Sequence, residues 1–188
     1  LFRSLILVEK GQIAEAKQAV ADAVKANPED TSLKLTEANL YLETKDFDTY
    51  KKLIAEVLEK SPNDPDLVFN LGVLSYNAKN NADAEKYYLR AIQIKPDYVN
   101  AYLNLAILKL DADKKLFDEI QKLGNSEKDN KRYEVLKKQR EVVFKDALPF
   151  LEKATELDPA NKEVKSTLLS VYRALEMTDK AKELKAKM

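Results

Sequence analysis

Few of the 188 residues could take part in acid–base, nucleophilic or metal chemistry. The sequence has no His, the side chain that most often transfers protons near neutral pH and binds transition metals. It has no Cys either, which excludes thiol nucleophiles and thiolate metal sites. A Ser–Lys or paired-carboxylate mechanism would need one pair set apart from 32 acidic and 32 basic side chains, and no motif does this. We therefore predict that the chain is not an enzyme and takes no cofactor.

One short acidic motif is similar to the start of a calcium-binding loop. Asp111 and Asp113 have the spacing of the first two ligands of such a loop. The Gly that should come three residues after Asp113 is absent, and Lys122 stands where the terminal Glu ligand is needed. We interpret the motif as a solvated helix face and predict no metal site. The sequence also contains no Gly-rich phosphate-binding loop.

A basic segment, residues 131–140 (KRYEVLKKQR), carries five basic side chains and one acidic. It could contact nucleic acid or an acidic protein, with Tyr133 as a stacking residue. The alternative is an exposed helix face, because residues 111–146 as a whole hold ten basic and nine acidic side chains that could pair locally. We favour the exposed helix face over a nucleic-acid partner.

The overall composition indicates a helical chain with a packed core. Apolar residues make up 45% of the chain, and Gly and Pro occur only three and six times. The net charge is zero, so no long-range field would attract nucleic acid or an acidic membrane. No apolar run approaches the roughly 18 residues of a membrane-spanning helix. The chain begins at Leu1 and not at Met, so a signal peptide or further repeats upstream would not be seen, and the compartment stays open.

The prolines reveal an internal repeat. Pro28, Pro62 and Pro96 recur with a 34-residue period, and Pro159 follows one period plus a 29-residue insertion later. Each follows an amphipathic run, where a Pro ends a helix because its ring cannot donate to the preceding turn.

The packing residues keep the same period. One column of mostly small residues contains Ala16, Tyr50, Ala84, Ala147 and Ala181, and a second contains Ala23, Val57, Ala91 and Ala154. Each unit therefore reads as two helices joined by a short turn.

Residues 65–98 resemble a tetratricopeptide repeat. Leu71-Gly72 lies in the first helix, and the second helix and its end carry family residues at the family spacing: Ala84, Tyr88, Ala91 and Pro96. The resemblance implies an all-α fold, a right-handed α-solenoid of antiparallel helix hairpins that forms one domain. Its units would cover residues 1–30 (truncated), 31–64, 65–98, 99–161 and 162–188. The long spacer and the segment ALPFLEKATELDP are similar to bacterial members of the family.

The pattern is weaker in the first two units. Arg3 and Glu37 stand where Leu71 stands later, and Tyr50 replaces a small residue, so we expect looser or tilted packing there. The last helix becomes rich in Lys, as a terminal cap that faces water would.

The fourth unit carries the 29-residue insertion. The spacer between its two helices, from about Leu110 to Ala147, is correspondingly longer than the seven residues of the other units. An apolar stripe continues through Leu123, then Gly124-Asn125 predicts a helix end and Ser126 a new start. We expect residues 111–146 to form an arm of two lengthened antiparallel helices that adds about 20 Å. Pro149 should lie inside the second helix and kink it.

The resemblance also implies a binding surface, because the first helices of tetratricopeptide repeats line a concave face that takes peptides or helices. The residues that would form it here are Leu35, Asn39, Leu42, Phe69, Asn70, Val73, Tyr76, Asn100, Leu103, Asn104, Ile107, Ser166, Ser170 and Arg173. Asn70 and Asn104 share a column and could bracket a peptide backbone, or could bond to the neighbouring hairpin; both remain open. For Phe69 and Tyr76 we favour packing between hairpins over ligand contact.

One peptide class is disfavoured. Family members that grip a chaperone's C-terminal carboxylate use cations beside two Asn residues. Asn39 and Asn70 match those Asn columns, but the cation positions hold Leu35, Asn100 and Asn104. We therefore expect a scaffold or adaptor for some other protein or peptide, with no small-molecule substrate. The alternative is a regulatory or substrate-recruiting module of a larger protein.

Overall fold

The computed structural model describes residue 7 and residues 11–188. Within this part of the chain the backbone forms nine α-helices and no strand, as the composition predicts. They are α1 (Ile13–Ala26), α2 (Thr31–Glu43), α3 (Phe47–Lys60), α4 (Pro65–Asn77), α5 (Asn81–Ile94), α6 (Val99–Ile120), α7 (Glu127–Leu157), α8 (Lys162–Ala174) and α9 (Thr178–Ala186).

The helices pack as consecutive antiparallel hairpins, α2 with α3, α4 with α5, α6 with α7 and α8 with α9. Each hairpin also packs on the next, so the core runs along the stack instead of forming one centre. A two-helix unit leaves one apolar face uncovered, and contact with its neighbour buries that face. The predicted α-solenoid is confirmed.

The turns inside the hairpins repeat one backbone feature with the period of the sequence. Gly11, Lys45 and Lys79 have φ values of 73°, 60° and 63°, and Glu176 in the last hairpin has 58°. The equivalent residue of the fourth unit, Asp113, lies within α6 instead. The insertion therefore removes the turn and lets the first helix continue.

Helix caps follow the same period. Asp30 and Asp64, which hold equivalent positions in consecutive units, each accept hydrogen bonds from two backbone N–H groups at the start of α2 and α4. Asp46 and Asn80 cap α3 and α5 in the same way, with one backbone N–H each. These caps satisfy N–H groups that have no partner inside the helix.

The predicted small-residue column lies in the core, where Ala84 is fully buried. A Cβ on Gly72 would meet the Tyr88 ring at 2.6 Å, so a larger residue fits where these helices cross only if the ring shifts. Tyr50 is 2% exposed, so the aromatic ring fills the position that Ala84 holds in the next unit. Glu37 is only partly buried, and Arg3 lies outside the described residues.

The insertion forms the predicted antiparallel arm, but its two helices are unequal. α6 continues past Leu110 for about 15 Å, whereas α7 begins about 30 Å before Ala147. α6 ends at Ile120, three residues before the predicted Leu123, and α7 begins after Ser126, whose hydroxyl accepts from the Asp129 N–H at 3.1 Å. The first turns of α7 therefore lie beyond the end of α6. Pro149 lies inside α7, as predicted.

Among the described residues, no helix combines the length and the hydropathy needed to cross a membrane.

Candidate functional site: the first helices and the arm

The predicted binding residues lie on α2, α4, α6 and α8, the first helices of successive hairpins. Those with exposed side chains are Asn39, Leu42, Asn70, Asn100, Ser166, Ser170 and Arg173. Those that are partly buried are Leu35, Phe69, Val73, Tyr76, Asn104 and Ile107. The surface is therefore a row of exposed amides and hydroxyls beside apolar side chains that also pack within the stack.

Leu103 does not belong to this surface. Its side chain is 6% exposed and packs in the core that joins the α6–α7 hairpin to α8 and α9, with Ala106, Leu151 and Leu168. Leu103 lies one helical turn from Asn100, which is exposed to solvent. The Leu103 side chain is nevertheless buried against the last hairpin. We remove Leu103 from the proposed site.

The aromatic residues of α4 pack within their own hairpin and against the next one. The Phe69 ring centroid lies 5.7 Å from that of Tyr88 and 5.0 Å from that of Tyr98. The Tyr76 hydroxyl donates to Asp111 Oδ1 at 2.9 Å, which ties α4 to α6. These contacts support the packing role that we favoured for Phe69 and Tyr76.

Asn70 and Asn104 share a column but have different surroundings. Asn104 is partly buried beside Tyr88 of the preceding hairpin, whereas Asn70 is exposed. Burial raises the pKa of Tyr88 to about 12, and the nearby Asn104 amide acts in the opposite direction. Of the two, Asn70 has the freer amide for a ligand.

Two further tyrosines join neighbouring elements through carboxylates. The Tyr98 hydroxyl donates to Asp66 at 2.6 Å, and the Tyr172 hydroxyl donates to Glu152 at 2.8 Å. Burial and these hydrogen bonds raise the pKa of both phenols. Burial alone would raise the pKa of Glu152, but hydrogen bonds from Lys180 and Tyr172 outweigh it and lower that pKa. Sequence reasoning missed these contacts. The position of Tyr98 after Pro96-Asp97, for example, does not indicate that its hydroxyl bonds to Asp66.

The basic segment of the arm is largely paired. Four of its five cations form ion pairs: Lys131 with Glu127, Arg132 with Glu119, Lys137 with Glu176 and Arg140 with Asp113. Arg140 also lies 5.1 Å from the centroid of the Phe117 ring. This pairing supports the exposed-face interpretation.

The acidic motif at the base of the arm is used structurally. Asp111 accepts from Tyr76, and Asp113 pairs with Arg140. Across residue 7 and residues 11–188, no three acidic side chains are grouped so that they could hold a metal ion.

A groove lies on either side of the arm. The first, the Val142 groove, has a volume of about 980 Å³ and lies between the arm and the α4–α5 turn; its walls are Lys79, Asn81, Leu108, Asp111, Ala112, Lys115, Leu116, Gln139, Val142 and Val143. The second, the Phe117 groove, has about 610 Å³ and lies between the arm and the α8–α9 turn; its walls include Phe117, Tyr133, Lys137, Arg140, Phe144 and Glu176.

Comparisons with known proteins agree with this architecture. Two tetratricopeptide repeat models match the chain, one over residues 7–67 and one over residues 65–98. No curated protein sequence matches the chain.

Several solved structures have a similar fold. A crystal structure of MamA is 15% identical, with a TM-score of 0.67 over 98% of this chain and 91% of that one. A protein from Bacteroides ovatus is 20% identical, with a TM-score of 0.65 over 94% and 96%. The first TPR of Spaghetti (RPAP3), bound to an HSP90 peptide, is 18% identical, with a TM-score of 0.55 over 78% and 93%.

These likenesses concern the fold, and the sequence models identify the repeat itself. Residues 7–98 match tetratricopeptide repeats directly, and the hairpins that follow continue the same stack. The chain therefore belongs to the tetratricopeptide repeat family.

Proposed function

We propose that the chain is a protein-interaction scaffold whose concave face binds an extended peptide or a helix of a partner protein. The observation that carries this proposal is the row of exposed amides Asn39, Asn70 and Asn100 beside Leu42 and Val73 on successive first helices. An amide can donate to and accept from a peptide backbone, while the apolar side chains bury part of the ligand. This face holds a partner and does not chemically change it.

The first TPR of Spaghetti, which binds an HSP90 peptide, supports a peptide-binding role for the fold. The present chain has Leu35, Asn100 and Asn104 where the carboxylate-gripping members of the family have cations. Without a cation, a terminal carboxylate would lose its water and gain no charged partner. We therefore propose a ligand bound through its backbone and apolar side chains.

The test is a displayed library of random peptides panned on the intact chain, followed by binding measurements on individual peptides. A chain with Asn39→Ala and Asn70→Ala should bind them about tenfold more weakly or worse, since each amide hydrogen bond contributes about 0.5–1.5 kcal/mol. The matched control is Gln93→Ala, which removes an exposed amide from the second helix α5.

Equal binding by the double variant and the Gln93 control would contradict a concave site. Isolation of peptides that all end in an essential free carboxylate would contradict the proposed ligand class.

A further inference from the structure

The arm extends beyond the hairpins on either side of it, so its flanks are not covered as the other helices are. Lys79 and Asn81 of the α4–α5 turn line a groove beside the arm. On the arm itself, Val142 is 57% exposed and Val135 is 46% exposed. The two valines are seven residues apart on α7, so they share one face of that helix.

The Val142 groove has a shape that could bind a helix. On α6 its floor is Leu108, Ala112 and Leu116, spaced four residues apart and therefore aligned along about 12 Å of one helix face. On α7 the wall is Val142 and Val143. The small side chain of Ala112 at the centre lets a third helix approach two antiparallel helices closely.

The charges at the rim differ between the two grooves. Lys79 and Lys115 line the Val142 groove, and neither forms an ion pair within the described part of the chain. Its single lining carboxylate, Asp111, already accepts from Tyr76. In the Phe117 groove the cations Lys137 and Arg140 are both paired with carboxylates. The Val142 groove therefore has unmatched positive charge beside an apolar floor, and the Phe117 groove does not.

We propose that the Val142 groove binds an amphipathic helix of a partner protein whose apolar face is flanked by Asp or Glu side chains. Apolar side chains of that helix would cover Ala112, Leu116 and Val142, and its carboxylates would pair with Lys79 and Lys115. The inference rests on the proposed protein-binding function but uses a surface separate from the concave face.

The test uses two synthetic 18-residue amphipathic helices with the same Leu-rich face, one flanked by Glu and the other by Lys. Binding to the full chain is followed by fluorescence anisotropy. The Glu-flanked helix should bind roughly tenfold more tightly than the Lys-flanked one, since two rim contacts change from repulsive to attractive. Lys79→Glu with Lys115→Glu should invert this preference; both positions are exposed, and circular dichroism checks that the variant is folded.

Val142→Glu should weaken binding of the Glu-flanked helix about tenfold, because it places a charge against the apolar face. The matched control is Tyr133→Glu, which puts the same charge at an exposed apolar position of α7 that lines the Phe117 groove, and it should change affinity less than about twofold.

Several results would overturn the inference. One is that the Glu-flanked helix does not bind at about 1 mM. Another is that the double Lys variant keeps the preference for the Glu-flanked helix. A third is that Val142→Glu and Tyr133→Glu change the affinity for that helix equally. Tighter binding of a single-stranded RNA oligonucleotide, lost in the double Lys variant, would also overturn it. Loss of helix binding only in the Asn39→Ala/Asn70→Ala chain would place the helix on the concave face, which overturns this inference and keeps the proposed function.

Discussion

At the residue scale, Gly72 leaves no room for a side chain beside the Tyr88 ring. The Tyr88 ring is 1% exposed and lies against Phe69, so it has little room to move from a Cβ that would be 2.6 Å away. Helix propensity alone would make Ala better than Gly by about 1 kcal/mol. Whether Gly72→Ala stabilises or destabilises the fold therefore depends on how far the Tyr88 ring can shift.

We predict that Gly72→Ala lowers the free energy of unfolding by about 1–2 kcal/mol, because overpacking at a fixed ring outweighs the propensity gain. Urea denaturation measures the change. In a Tyr88→Leu background the same substitution should be neutral or stabilising. An equal loss in both backgrounds would show that the Tyr88 ring is not the cause.

Glu37 occupies the position that Leu71 occupies in the next unit. Burial and the nearby charge of Glu56 raise the pKa of its carboxyl above the ordinary value of 4.5. The folded state thus favours the protonated form, and ionised Glu37 costs stability at every pH above that raised pKa. The cost disappears as the pH falls through the raised pKa towards 4.5.

We predict that Glu37→Leu increases the free energy of unfolding at pH 7 by about 0.5–2 kcal/mol. Glu37→Gln, which removes only the charge, should give a smaller gain that shrinks as the pH approaches 4.5. Denaturation at both pH values measures this. A gain for Glu37→Gln that stays constant with pH would contradict a titrating cost at this position.

At the scale of the elements, three hairpin turns place a non-Gly residue in a left-handed backbone conformation. Lys45, Lys79 and Glu176 adopt left-handed φ values that cost a non-Gly residue about 1–2 kcal/mol, and only Gly11 avoids the cost. Gly itself loses about 0.5–1 kcal/mol more in backbone entropy on folding.

We predict that Lys45→Gly raises the free energy of unfolding by up to about 1 kcal/mol, and that Lys45→Ala at the same site gives no gain. Thermal or urea unfolding of the two variants, side by side, measures the difference. Similar stability for the Gly and Ala variants would mean that the turn is not strained at this position.

The sequence foretells the elements better than their contacts. The Pro period and the small-residue columns around Ala84 predict the helix pairs, and the extra length of the fourth unit predicts the arm. The strained turn at Lys45 has no signal in its own residue, because a left-handed residue is usually recognised by a Gly, and this column holds a Gly at residue 11 one period earlier. The burial of Leu103 and the Tyr76–Asp111 contact depend on how neighbouring hairpins cross, which a one-dimensional period does not contain.

At the scale of the whole molecule, the arm is an addition to the stack. The core that joins the fourth hairpin to the last one is formed by residues outside the arm. The base of the fourth hairpin is held by Leu103, Ala106, Ala147 and Leu151 in one core with the last hairpin. The arm adds its own contacts farther out, around Leu136 and the Arg140–Asp113 ion pair.

Deleting residues 114–142 removes a segment as long as the insertion and restores the period of the other units. With Asp113→Gly for the turn, we predict a folded chain with helical circular dichroism and a single cooperative unfolding transition, because the core at the hairpin base is kept. The variant should lose binding at the Val142 groove and keep binding at the concave face. Loss of cooperative unfolding would show instead that the arm is part of the core.

The central claim is that partners bind along the concave face of the first helices. A peptide isolated by panning, labelled at its centre with a benzophenone and photo-crosslinked to the full chain, tests it most directly, with the attachment sites found by mass spectrometry. We predict attachment within residues 35–42, 69–76 and 100–107 on α2, α4 and α6. Attachment confined to the second helices α3 and α5, on the opposite face of the stack, would contradict the claim.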